Sequence, residues 1–206
     1  MKRIAFPLLA LSAGATLVLA SHPVMAHGTT GAGVLGGFSH PLLGLDHLLM
    51  LISVGASASL VGPQLLVWAL GGALIGAAIG SGSTGLASVE ALAALAIVAV
   101  SLLILLASHN SSANPSATGC LRNRRWSLAF GAVVSGAVAI HAWLHGLEAP
   151  QDSTSLLWWS GALMSSALVA TASCMTLRRL PQRWTHLTAT ALLLLGAGLS
   201  LAGMGG

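Results

Sequence analysis

The sequence predicts an all-α polytopic membrane helix bundle, with six transmembrane helices following an N-terminal signal peptide. Three observations lead there. Only 6% of the 206 residues are charged while 55% are hydrophobic. The apolar residues come in blocks near the ~20 residues that cross a ~30 Å hydrocarbon core, not at amphipathic spacing, which excludes an ordinary soluble domain. All eight Lys and Arg fall in three short clusters that border apolar blocks, the pattern of topology signals and not of a nucleic-acid footprint.

Taken in order, Lys2 and Arg3 precede an apolar run over residues 4–19, and Val24-Met25-Ala26 offers a signal peptidase site. Residues 1–26 are therefore expected to leave as a signal peptide, with His27 as the new N-terminus, outside the cytoplasm. Residues 27–37 (HGTTGAGVLGG) are glycine-rich with no hydrophobic period and read as an exposed loop. Pro41 suits the first turn of a helix, where its missing N–H costs nothing. The six-helix domain, 27–206, then has spans at about 41–60, 64–80, 86–107, 126–147, 156–177 and 187–204. Gly62-Pro63 and SGSTG at 81–85 are tight turns, and 108–125 is the one long loop.

An outside N-terminus places the loops holding Arg122, Arg124 and Arg125, and Arg178, Arg179 and Arg183, in the cytoplasm. No Lys or Arg falls in a segment assigned to the outside, which instead receives Glu148 and Asp152. Adding or removing one helix destroys this agreement. Trp126 and Trp184 then stand at the inner boundary and Trp158 and Trp159 at the outer one, as an aromatic belt. Cys120 and Cys174 fall at or near the cytoplasmic side and are too few for a disulfide framework or a thiolate metal site. The spacing Gly72, Gly76, Gly80 is a small-residue ridge for close packing of the second helix on a neighbour.

Against this apolar background the ionisable residues stand out. Insertion scales charge an Asp near a helix centre about 2.5–3.5 kcal/mol, so Asp46, beside His47 in the first span, requires a partner or a use. His141 and His145 are four apart, on one face of the fourth span, with Glu148 three residues on. The first span runs inward and the fourth outward, so at ~1.5 Å per residue Asp46, His47, His141 and His145 share one layer in the outer half of the membrane. Glu90, four residues into the third span, falls at a comparable height. His40, seven residues before His47, lies on nearly the same stripe and is expected at the mouth, where an entering ion first loses water. His27 on its own is an incidental loop residue; with its free amine it is also a weak outer cation ligand. Met50, one turn from Asp46, is read as space-filling. Imidazole and carboxylate without thiolate suit borderline divalent ions such as nickel, zinc or cobalt.

His40-Pro41, Gly44, Asp46-His47 and Val54-Gly55 together resemble the HPxxGxDHxxxxxxVG signature of the HupE/UreJ nickel permeases, the hydrogenase and urease accessory family. His141, His145-Gly146, Glu148 and Pro150 resemble that family's second motif, and Glu90 stands where it tends to carry a helix-three carboxylate. The resemblance implies a secondary transporter or channel for Ni²⁺, or Co²⁺, moving the ion inward across a bacterial inner membrane. It implies a periplasmic mature N-terminus and no permanently bound cofactor. The expected partners are the ion and the bilayer, not nucleic acid. The alternative is a membrane-embedded metal-dependent hydrolase, in which bound Zn²⁺ activates water. No H-E-x-x-H occurs to support it, and no P-loop supports ATP use.

Overall fold

The structure is a computed structural model and describes residues 33–82, 89–113 and 124–204. The expected signal peptide, His27, turn residues 83–85, Cys120 and Arg122 lie outside the described residues. So do the side chains of Glu90, His109, Arg124, Arg125, Trp126 and Glu148.

Seven helices and no strand occur among the described residues: α1 (Gly33–Leu43), α2 (Leu45–Val61), α3 (Gln64–Ser81), α4 (Val89–Ala113), α5 (Arg124–Glu148), α6 (Ser155–Arg179) and α7 (Gln182–Met204). The last five are long and apolar enough to cross a membrane. Joined end to end, α1 and α2 supply a sixth segment, bent by 79° at its break. Large apolar side chains such as Leu70, Ile75, Leu102, Leu168 and Leu194 point outward, as a bilayer requires.

The bent pair corrects the expected first span. Gly33 to Gly37 are helical instead of an exposed loop, with Gly36 and Gly37 buried, and Pro41 sits in the last turns of α1 instead of the first turn of a helix. The glycines serve contact here, not turning. A Cβ at Gly37 would overlap the Trp158 carbonyl oxygen, and one at Gly161 would overlap that of Val34, so α1 and α6 meet backbone to backbone. Gly44 then turns the chain at ψ 121°. Its N–H still donates to the His40 carbonyl at 3.4 Å, and its own carbonyl accepts from the Leu48 N–H at 3.1 Å. Two backbone bonds thus span the bend.

Helix α2 packs against all six other described helices. Its Leu49, Met50 and Val54 join Ile97, Val100 and Ile104 of α4, Val134 of α5 and Leu192 of α7 in one core. A turn at Gly62, whose φ of 140° favours glycine, returns the chain into α3. The glycine ridge of α3 meets α5: Cβ atoms at Gly72, Gly76 and Gly80 would overlap the carbonyls of Ser135, Ala139 and Trp143. With that face of α5 held against α3, the face bearing His141 and His145 turns toward α2.

In the turn before α6, Asp152 Oδ1 accepts from the Thr154 N–H at 2.8 Å and from its hydroxyl at 2.6 Å. These bonds hold the Asp152 carboxyl below its ordinary range. Their contribution is present above that range and is lost as pH falls through the lowered value.

Candidate metal centre

The bend at Gly44 decides where His40 goes. On a straight helix, residues seven apart are separated by ~10 Å along the axis. Here the Nε2 atoms of His40 and His47 are 3.4 Å apart. His145 Nδ1, from α5, lies 3.0 Å from His40 Nε2 and 3.2 Å from His47 Nε2. The expectation that His40 stands at the mouth, above a separate centre, is thus corrected: it is part of the cluster, and 5% exposed.

Three ring nitrogens lying pairwise at 3.0–3.4 Å form a triangle that protons alone cannot satisfy. Each ring nitrogen of a neutral imidazole is either a donor or an acceptor, so at least two of the three carry the same role and oppose each other. A cation accepts all three lone pairs at once. An ion at the ~2.0–2.1 Å typical of metal–imidazole bonds would be capped by the nitrogens of His40, His47 and His145, with further coordination positions left open.

A second group shares His47. Its Nδ1 lies 2.7 Å from Asp46 Oδ1, and Asp46 Oδ2 lies 3.7 Å from His141 Nε2. The ligand atoms of His40, His47 and His145, and those of Asp46, His47 and His141, each fall within 4.8 Å of one another. Neither nitrogen of His141 makes a hydrogen bond among the described residues, although both are buried. Leaving such groups without a partner costs about 1–3 kcal/mol each, which a bound cation would recover. The structure thus brings together His40, Asp46, His47, His141 and His145. His27, and the side chains of Glu90 and Glu148, lie outside the described residues.

Two residues support the cluster in ways that their sequence signals, a belt position for Trp158 and a signature position for Gly44, do not specify. Trp158, expected as an interfacial anchor, is instead fully buried, with its ring 5.0 Å from that of His40 at 56°. The backbone contact of α1 with α6 draws it inward. Gly44 adopts a φ of −81°, open to any residue, so it is needed for space: a Cβ there would lie 2.7 Å from His47 Nδ1 and 3.2 Å from Asp46 Oδ1. Gly44→Ala is therefore expected to weaken metal binding at least about tenfold, the scale of a disturbed ligand support. Equilibrium dialysis checks this, with unchanged circular dichroism showing that the helices persist.

A cavity of about 330 Å³ adjoins the cluster. His40, His47, His141 and His145 line one end, Met50 and Trp158 flank them, and apolar residues of α3 and α6 make most of the remaining wall.

A family model described as HupE / UreJ protein matches residues 15–205. The chain is 29% identical to Protein HupE of Rhizobium leguminosarum bv. viciae over 161 residues, 75% of this chain and 76% of that protein. No solved structure matches. With nearly its whole length matched, and with the motif residues gathered around one bend, this chain belongs to the HupE/UreJ family.

Proposed function

We propose that the chain carries Ni²⁺, with Co²⁺ as the nearest alternative, inward across a bacterial inner membrane, without ATP. The observation that carries this is the nitrogen triangle of His40, His47 and His145 inside a membrane-helix bundle. A donor set of imidazole and carboxylate, without thiolate, suits borderline divalent ions. A cap on one face only leaves coordination positions open, and a transported ion must leave as well as enter. His27 is proposed as an outer ligand, with Glu90 and Glu148 as further polar groups on the path. The basic residues Arg178, Arg179 and Arg183, at the junction of α6 and α7, support a cytoplasmic location for that end and a periplasmic one for the mature N-terminus.

The test is accumulation of radioactive nickel by cells that lack their own uptake system and express this chain. Accumulation above the empty-vector level is expected, and His40→Ala and His145→Ala are expected to abolish it while still inserting in the membrane. A residue that merely greeted ions at the mouth would lower uptake only modestly, so His40→Ala also tests membership of the cluster. Three histidines with an open face can activate water at zinc as well. Metal-dependent turnover of a lipid or peptide, with no ion flux, would replace transport by hydrolysis.

A further inference from the structure

Resting on the transport reading, we infer that the ion occupies two positions in turn, with the imidazole of His47 shared between them. The first is formed by Asp46, His47 Nδ1 and His141; the second is the cap of His40 Nε2, His47 Nε2 and His145 Nδ1. The two nitrogens of His47 point to opposite sides of its ring, so no single ion can bind both.

The surroundings give the order. The Asp46 side chain is 29% exposed and takes no part in the cavity wall, whereas all four histidines line it. The cavity follows α6 from Trp158 to Thr171, ~20 Å along the axis, away from the end where α1 turns into α2. An ion therefore meets the partly exposed carboxylate first and reaches the cavity through the three-histidine cap.

The donors of the first position support its being a site and not only a brace for His47. Both nitrogens of His141 are buried without a hydrogen bond among the described residues, and with His47 Nδ1 they converge on the Asp46 carboxylate. A neutral imidazole offers one lone pair at a time, so His47 holds the ion on one nitrogen or the other and the first position empties as the second fills.

The experiment separates binding from movement, using the full chain purified in detergent and the same protein reconstituted in vesicles, with Ni²⁺ as probe. His141→Ala and Asp46→Asn are expected to lower uptake at least about tenfold more than they lower Ni²⁺ affinity, since the nitrogens of the cap remain. The visible absorption of bound Co²⁺ should be unchanged in both variants. His145→Ala should lose binding and uptake together. If His141→Ala and Asp46→Asn lose affinity by the same factor as uptake, or alter the Co²⁺ spectrum, there is one ion position, Asp46 acts on it directly or by orienting His47, and the two-position inference is overturned while transport stands. Failure of the unaltered protein to take up Ni²⁺ would overturn both. Asp46→Asn, nearly isosteric, decides the matter should His141→Ala fail to fold.

Discussion

Nickel uptake is expected to fall to background, by more than about 100-fold, when His47 is replaced by alanine. Among the described residues only His47 belongs to both ligand groups: its Nε2 lies within 3.4 Å of His40 and His145, and its Nδ1 2.7 Å from Asp46. A hundredfold loss corresponds to about 2.7 kcal/mol of lost binding. The same effect is readable without transport. A ligand held at 100 times its dissociation constant stabilises a fold by about 2.7 kcal/mol, and in a chain of this size that raises the melting temperature by roughly 5–10 °C. Added Ni²⁺ should therefore shift thermal unfolding of the unaltered protein and leave His47→Ala unmoved. An undiminished nickel shift in the variant would remove His47 from the site. Ligand loss must be separated from misfolding, because His47 is 3% exposed and its truncation leaves a cavity. A melting temperature without nickel close to that of the unaltered protein makes the separation.

The second large effect is expected far from any ligand atom. Gly37→Ala adds one methyl group, and that methyl overlaps the Trp158 carbonyl oxygen. The overlapping groups are backbone on both sides, so no side chain can rotate away; α1 must move off α6. Overpacking of this kind costs about 1–3 kcal/mol or more, roughly 2–12 °C in melting temperature. His40, three residues on in the same helix, moves with it and leaves the nitrogen triangle. We expect uptake to fall at least about tenfold alongside the loss of stability. Gly71→Ala is the control, since a Cβ there meets nothing within 4 Å. Equal behaviour of the two variants in melting and uptake would show that the α1–α6 contact does not hold the site.

Much of this architecture was legible in the residues. Apolar blocks of membrane length announced the helices, and α3 to α7 are long and apolar enough to span. The costly ionisable residues announced their own importance, and opposed helix directions placed Asp46 and His47 level with His141 and His145. What was not legible was the path of the chain before Leu45. The glycines of residues 27–37 carry the composition of a loop, and only the surface of α6, more than a hundred residues later, makes Gly33–Leu43 a packed helix. A straight helix would carry His40 to the mouth, and tandem tryptophans at the edge of an apolar block usually lie at the interface, yet the bend and the α1–α6 contact bury both His40 and Trp158.

The chain alone determined the fold class, the family signature and the kinds of donor atom, because hydropathy, charge placement and side-chain chemistry are properties of residues one at a time or of near neighbours. Tertiary structure decided which donor atoms come together. That depends on a 79° bend and on glycine-mediated backbone contacts between distant segments. A shift of a few ångströms in such contacts either closes or opens a triangle of nitrogens, and no local pattern in the residues encodes that distance.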